Sequence, residues 1–151
     1  MSIKIGDLGE KLVIQWLESK SYRVLHYKWR CRWGEIDVIA EDKNTSTLAF
    51  VEVKTRSDSN WDSDGLEAVS LSKQKKISRS AALFLGKNTQ YTDFYMRFDV
   101  ALVRYNKQLL MDYETENSTE HTELSKSFVR DITNNSSLKL IDYLENAFES
   151  F

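Results

Sequence analysis

Two spacings of apolar residues alternate along the chain and predict a domain that mixes helices and strands. Spacings of three and four residues predict helices, and alternation with a period of two predicts strands. The predicted elements are, in chain order, a helix over 5–20, a meander of strands over 22–28, 34–40 and 50–56, a helix over 71–85 that ends at Gly86, strands over 94–104 and 107–113, and a closing helix within 137–151. This order favours an α/β fold with a central mixed β-sheet flanked by helices.

A polar interval separates the last predicted helix from the rest of the chain. The 151 residues suffice for one domain with a hydrophobic core. Residues 112–136 are rich in Glu, Ser, Thr and Asn and have little periodicity, which is typical of a flexible segment. The predicted organisation is therefore an α/β core over 1–111, an acidic flexible segment over 112–136, and a helix over 137–151 that packs on the core.

Charged residues interrupt two strands that otherwise read as buried. Segments 34–40 and 50–56 are joined by turn-forming residues, which favours an antiparallel hairpin. A turn centred on Asn44–Thr45 places Asp37 opposite Glu52. Two carboxylates that face each other across a ladder repel, so this pairing needs a compensating cation.

A lysine completes the set. Lys54 follows Glu52 by two residues and therefore shares its face of the strand. Carboxylates suit hard cations such as magnesium, and a neighbouring lysine could orient a water and neutralise developing charge. The alternative is a same-face ion pair on a solvated surface, worth roughly 0–1 kcal/mol. The aligned Asp37 and the apolar run over 48–51 favour a site.

A further carboxylate lies on the apolar side of the first predicted helix. Glu10 shares that side with Val13, Ile14 and Leu17. A carboxylate among apolar residues needs a partner, because its desolvation is unfavourable. A buried ion pair or a cap on a neighbouring loop would serve equally well as a metal ion.

The motif Gly34-Glu35-Ile36-Asp37, followed by Phe50-Val51-Glu52-Val53-Lys54-Thr55-Arg56, resembles the YraN-like family of uncharacterised bacterial proteins. That family looks like the PD-(D/E)XK, or restriction-endonuclease-like, nucleases and is similar to the archaeal Holliday junction resolvases. Further matches are Gly6, Gly9-Glu10, Trp29-Arg30-Cys31-Arg32, Glu67-Ala68-Val69, Lys73-Gln74, Arg97-Phe98-Asp99-Val100 and Glu145-Asn146-Ala147-Phe148. The likeness covers residues 6 to 104 and the C-terminal segment. Relatives often have an asparagine where this chain has Lys28.

The resemblance implies a restriction-endonuclease-like core and an active site. It makes Asp37, Glu52 and Glu10 ligands of a magnesium or manganese ion. Lys54 would be the catalytic lysine, and Gln74 a polar residue of the site. The implied reaction is metal-dependent hydrolysis of phosphodiester bonds in DNA, on branched or single-stranded substrates.

The net charge of −2 hides an uneven distribution. Residues 1–111 carry 18 basic and 14 acidic side chains, whereas residues 112–151 carry 3 and 9. Two clusters free of acidic residues, one with interleaved aromatics over 20–33 and one over 73–87, favour contact with nucleic acid. The candidate contacts are Arg30, Arg32, Arg56, Lys73 and Lys76. The alternatives are packing roles for the tryptophans and solvated positions for the basic residues.

Other features narrow the function classes. No apolar run is long enough to span a membrane, and the N-terminus lacks the pattern of a signal peptide. Cys31 is the sole cysteine, which fits a reducing cytoplasm, and the two histidines lack zinc-ligand spacing. Many nucleases of the similar fold are dimers, so a homodimer is a further hypothesis.

Three functional hypotheses follow. The first is a metal-dependent nuclease. The second is a non-cleaving nucleic-acid-binding module on a nuclease-like fold. The third is a protein-interaction factor with a vestigial site, in which the acidic segment recruits a partner protein.

Overall fold

A computed structural model describes residues 4–58, 69–111, 126–134 and 136–150. Its elements are, in chain order, α1 (Ile5–Ser19), β1 (Arg23–Cys31), β2 (Gly34–Asp42), β3 (Thr47–Ser57), α2 (Leu71–Lys87), a 3-10 turn (Thr89–Tyr91), β4 (Tyr95–Tyr105), α3 (Lys126–Asn134) and β5 (Leu138–Phe148). Residues 107–111 are also helical. Among the described residues no helix is long and apolar enough to cross a membrane.

The strands form one mixed sheet in the order β1-β2-β3-β4-β5. The first three strands are an antiparallel meander, as predicted, and β4 runs parallel to β3 after a crossover that contains α2. β5 then pairs with β4 in the antiparallel direction. The predicted α/β fold with a central mixed sheet flanked by helices is confirmed.

Each face of the sheet is covered by its own apolar cluster. Alternation along β3 sends Ala49 and Val51 to the α1 face, where α1 and α3 pack, and sends Leu48 and Phe50 to the α2 face. All four side chains are buried, so β3 is the central strand that its apolar run predicts. Glu52 and Lys54 continue this strand towards the end where the site lies.

The predicted C-terminal helix over 137–151 is wrong, because Leu138–Phe148 is the edge strand β5. Its pairing with β4 contains register shifts between Phe98 and Val100 and between Leu102 and Val103. At such irregularities the strand no longer alternates strictly between the two faces of the sheet. Its apolar residues therefore recur at three- and four-residue spacings, which is the pattern that predicted a helix. The predicted strand over 107–113 is also wrong in its described part, because residues 107–111 are helical. The strand that pairs with β4 in the antiparallel direction is β5.

Part of the predicted flexible segment over 112–136 is helical. Residues 126–134 of the predicted flexible interval form α3, which buries Val129 and Ile132 against the α1 face of the sheet. Residues 112–125 and 135 lie outside the described residues, as do residues 59–68. A smaller correction concerns Gly86, which lies within α2 rather than at its cap.

A fully buried carboxylate joins the strands near one end of the sheet. Asp99 accepts two hydrogen bonds of 2.8 Å from Arg97, one of 2.6 Å from the Tyr143 hydroxyl and one of 3.0 Å from the Asn146 amide. Arg97 also donates to the Tyr22 hydroxyl at 2.6 Å. The alternation of β4 predicts Asp99 on an outer polar face. That prediction is wrong, because β5 and its side chains cover Asp99 completely.

Candidate functional site

The predicted hairpin register is present in the structure. Val38 pairs with Val51, so the next position of the register places Asp37 beside Glu52. The ladder ends there, and the Asp37 carboxylate accepts a hydrogen bond of 2.8 Å from the Val53 amide. The two strands therefore diverge at the position where the sequence placed the pair of carboxylates.

Strand β2 changes face at Asp37. Val38 packs on the α1 side of the sheet and Ile36 packs on the α2 side, although strict alternation would put both on one side. The neighbouring strand is irregular at the same level. Pairings of Tyr27 with Val38 and of Trp29 with Ile36 flank Lys28, whose φ is +54°. At this irregular level the carboxylate of Asp37 reaches across to the amide of Val53 on β3.

Helix α1 supplies a second group of carboxylates because it approaches β3 closely. A Cβ atom on Gly9 would overlap the hydroxyl of Thr55, so glycine is required for this approach. Glu10 follows and is 6% exposed, on the apolar side of α1 as predicted. Its Oε2 atom lies 3.1 Å from Lys28 Nζ, which also contacts Asp7 Oδ1 at 2.6 Å.

These elements line a solvent-open cavity of about 450 Å³. The predicted residues that line it are Glu10, Asp37, Glu52, Lys54 and Arg56. Asp7, Lys28, Thr55 and Tyr105 also contribute to its wall. Oxygen atoms of Glu10, Glu35 and Asp37 all lie within 4.8 Å of one another, a spacing that could hold a metal ion.

Glu52 has one paired and one unpaired oxygen. Its Oε1 atom lies 3.3 Å from Lys73 Nζ and 3.7 Å from Lys54 Nζ. Its Oε2 atom is buried and has no hydrogen-bond partner among the described residues. An unsatisfied buried carboxylate oxygen is unfavourable, so this atom is a natural ligand for a cation.

Burial and mutual repulsion make the carboxylates harder to ionise. Burial, followed by the charge of Asp37, raises the pKa of Glu52 to about 7. The same two causes raise the pKa of Glu10 to about 7, against the opposing effect of Lys28. Burial also raises the pKa of Asp37, although the hydrogen bond from Val53 partly offsets it. A divalent cation would relieve this clustering of negative charge.

The other predicted site residues have different surroundings. Gln74 is not part of the cavity wall in the described region, and its amide donates to the Val69 carbonyl at 3.0 Å. Arg30 pairs with Glu35 at 2.7 Å. Lys76 is exposed on α2. Lys73, predicted as a nucleic-acid contact, lies with its Nζ atom 3.3 Å from Glu52 Oε1.

Sequence reasoning assigned no role to Glu35, which the structure places in the carboxylate cluster. Its position two residues before Asp37 in β2 was a usable signal, since strand side chains alternate. The ion pairs of Lys28 and Lys73 had no such signal. They join elements that are distant in sequence.

A basic and aromatic cluster lies at the tight β1–β2 turn, where Cys31 pairs with Gly34 across Arg32 and Trp33. The guanidinium carbons of Arg32 and Arg79 lie 5.0 and 4.9 Å from the centroid of the Trp33 ring. Both arginines are exposed, and neither forms an ion pair with a described carboxylate. Trp29, in contrast, packs edge-on against Phe84 in the core.

Comparison with known proteins identifies the family. The model of the uncharacterised protein family UPF0102 matches residues 9–103, which include most of α1, the hairpin with its carboxylates, α2 and most of β4. The chain belongs to the UPF0102 family. This is the YraN-like family that the hairpin motifs resemble.

Relatives in the UPF0102 family extend over most of the chain. A UPF0102 protein from Trichormus variabilis is 41% identical over 150 residues, which cover 97% of this chain and 95% of the relative. One from Trichodesmium erythraeum is 46% identical over 134 residues, covering 82% and 71%. One from Nostoc is 50% identical over 106 residues, covering 68% and 76%. Their names state no activity, so the function of this UPF0102 protein must be argued from its site.

Proposed function

We propose that this UPF0102 protein is a metal-dependent nuclease of the PD-(D/E)XK superfamily that hydrolyses phosphodiester bonds in DNA. The observation that carries the proposal is the convergence of Glu10, Asp37, Glu52 and Lys54 on one cavity. The Oε2 atom of Glu52 is buried there and has no hydrogen-bond partner in the part of the chain that the structure describes. The mixed sheet, with the carboxylates at the end where β2 and β3 diverge, is consistent with a restriction-endonuclease-like core.

The donor set fits a hard divalent cation. Glu10, Glu35 and Asp37, whose oxygens lie within 4.8 Å of one another, would hold magnesium or manganese. Glu52, which lies beside Asp37 in the strand register, would be a further ligand through its Oε2 atom. Such an ion, when bound, supplies Lewis-acid stabilisation of a phosphate and lowers the pKa of a coordinated water.

The residues of the chain would position the substrate and the water. The Lys54 ammonium faces the same cavity as Glu52 and would donate a hydrogen bond to the attacking water or to a phosphate oxygen. A preorganised donor of this kind typically contributes about 10²–10³-fold to the rate. Arg56 lines the same cavity and would contact a neighbouring phosphate.

Further phosphates would lie along the N-terminal half of α2. Lys73, in the first turn of this helix, contacts the carboxylate of Glu52. The exposed side chains of Lys76 and Arg79 follow along the helix, and Arg79 contacts the ring of Trp33 in the β1–β2 turn. Arg32 and Arg79, both held on the Trp33 ring, offer guanidinium donors for a phosphate backbone. These contacts favour binding to nucleic acid without base recognition.

The second candidate is a nucleic-acid-binding module that does not cleave. One observation favours it, namely that lysine ammoniums already contact two of the carboxylates. Lys28 contacts Glu10, and Lys73 contacts Glu52. If these ion pairs persist when DNA binds, they would replace a divalent cation rather than accompany it.

The test is a cleavage assay on labelled duplex, single-stranded and four-way-junction DNA, and on RNA of the same sequence. Magnesium, manganese and chelator are compared for the wild type, Lys54→Ala and Lys43→Ala. Lys43 lies in the turn at the other end of the hairpin and is the matched control. We expect metal-dependent cutting that falls about 10²–10³-fold in Lys54→Ala and is unchanged in Lys43→Ala.

Binding is measured in the same series by fluorescence anisotropy in chelator over a range of salt concentrations. Substitution of Arg32 and Arg79 by alanine should weaken binding. The slope of the logarithm of the binding constant against the logarithm of the salt concentration should become shallower by about 0.9 per lost phosphate contact. Cutting that survives in Lys54→Ala would contradict the assigned site. Binding without cutting by any variant would favour the non-cleaving module.

A further inference from the structure

Lys28 has an unusual backbone conformation in the middle of a strand. Its φ of +54° lies in the left-handed region, which a lysine rarely adopts because the conformation is strained. The flanking residues Tyr27 and Trp29 pair with β2 in the same register, so the left-handed residue does not shift the pairing of the two strands. The surrounding structure, including the contacts that the side chain makes, must stabilise this strained conformation.

Those contacts are with carboxylates of the site. The Lys28 ammonium lies 2.6 Å from Asp7 Oδ1 and 3.1 Å from Glu10 Oε2, and the side chain forms part of the cavity wall. Glu10 in turn belongs to the group of oxygens that lie within 4.8 Å of one another. The ammonium therefore touches the carboxylate cluster on the side of α1.

We propose that Lys28 is a tethered cation that competes with a divalent metal ion for Glu10. The inference rests on the metal site of the proposed function and adds a property of this chain. A metal ion that engages Glu10 must displace the ammonium or share the carboxylate with it. Because like charges at such distances repel strongly, the chain binds the metal more weakly than it would with a neutral residue at position 28.

Asparagine is the informative replacement. It removes the charge and tolerates the left-handed conformation, so Lys28→Asn should keep the local backbone. Lys28→Gln is the second variant, because it retains most of the side-chain length. Lys11→Gln is the matched control, since the ammoniums of Lys11 and Lys28 lie 4.6 and 5.4 Å from the centroid of the same Tyr27 ring. Lys11 forms no ion pair with a described carboxylate.

In the experiment each purified protein is titrated with Mn²⁺ alone. Binding is measured by calorimetry and by the electron paramagnetic resonance signal of the free ion. We expect Lys28→Asn and Lys28→Gln to bind Mn²⁺ at least about tenfold more tightly than the wild type, and Lys11→Gln to bind within about twofold of it. The increase in melting temperature caused by saturating Mn²⁺ should be larger in both Lys28 variants.

The outcomes separate this inference from the proposed function. Equal affinity in the wild type and both Lys28 variants would overturn the competition and leave the metal site intact. An equal gain in Lys11→Gln would also overturn it, since loss of any nearby positive charge would then suffice. Absence of binding in every protein would overturn the metal site itself and the inference with it.

Discussion

Glu52 is a buried carboxylate in an environment that disfavours its charged form. It is 4% exposed, lies beside Asp37 and has one oxygen without a hydrogen-bond partner among the residues that the structure describes. Burial and the charge of Asp37 raise its pKa from an ordinary 4.5 to about 7. The folded protein therefore holds a proton on Glu52 over a pH range in which the unfolded chain has released it.

The pH dependence follows from this difference. Where the folded state binds more protons than the unfolded state, the free energy of unfolding decreases as the pH rises. Glu52 should thus reduce stability progressively between pH 4.5 and about 7, and fully above that range. Glu52→Gln removes the ionisable group and should stabilise the protein at pH 8, by on the order of 1–3 kcal/mol, with little effect at pH 4.5.

Urea denaturation of both proteins in chelator at the two pH values provides the measurement. Magnesium added at pH 8 should stabilise the wild type and should stabilise Glu52→Gln less, because the variant has lost one ligand. An equal stability difference at both pH values would show that Glu52 is not responsible for the pH dependence.

Among the elements, α1 and β3 have the closest functional relation. The missing side chain of Gly9 lets α1 approach Thr55, and this approach carries Glu10 to the cavity. Thr55 Oγ1 is buried without a partner in the described part of the chain, so it contributes no hydrogen bond that would be lost on truncation.

Gly9→Ala should therefore push the two elements apart. We expect a loss of about 1–3 kcal/mol in the free energy of unfolding, together with weaker Mn²⁺ binding because Glu10 moves with α1. Gly6→Ala is the control, since a Cβ on Gly6 meets open space in the same helix. The double variant Gly9→Ala/Thr55→Ala should recover most of the stability. Failure to recover would indicate that the overlap with Thr55 is not the cause.

For the whole molecule, the Asp99 network joins segments from opposite ends of the chain. Asp99 and Arg97 lie on β4, Tyr143 and Asn146 on β5, and Tyr22 just before β1. The network therefore fixes the C-terminal strand on the sheet. Because Asp99 is fully buried, removal of its carboxylate leaves the Arg97 guanidinium without its main partner.

Asp99→Ala should lower the free energy of unfolding by about 3–5 kcal/mol, the usual cost of breaking a buried ion pair. Glu145→Ala removes the other carboxylate near Arg97. The Glu145 side chain is 61% exposed and its Oε2 atom lies 3.8 Å from Arg97 Nη1, so its removal should lower the free energy of unfolding by only roughly 0–1 kcal/mol. Urea denaturation measures both. Comparable losses in the two variants would argue against a special role for the buried network.

The sequence by itself determined the local geometry of the site. Period-two alternation and the turn residues set the hairpin register, so the positions of Asp37, Glu52 and Lys54 could be predicted. Helical spacing likewise placed Glu10 on the buried side of α1. These features depend on residues close together in the chain, and the hairpin motifs also pointed to the family.

Tertiary structure decided what local patterns do not encode. The ion pairs of Lys28 and Lys73, the burial of Asp99 and the extended conformation of 138–148 all depend on contacts between residues distant in sequence. Irregular strand pairing shifts side chains to faces that strict alternation does not predict. The packing of helices and strands therefore decides which lysine ammonium contacts which carboxylate.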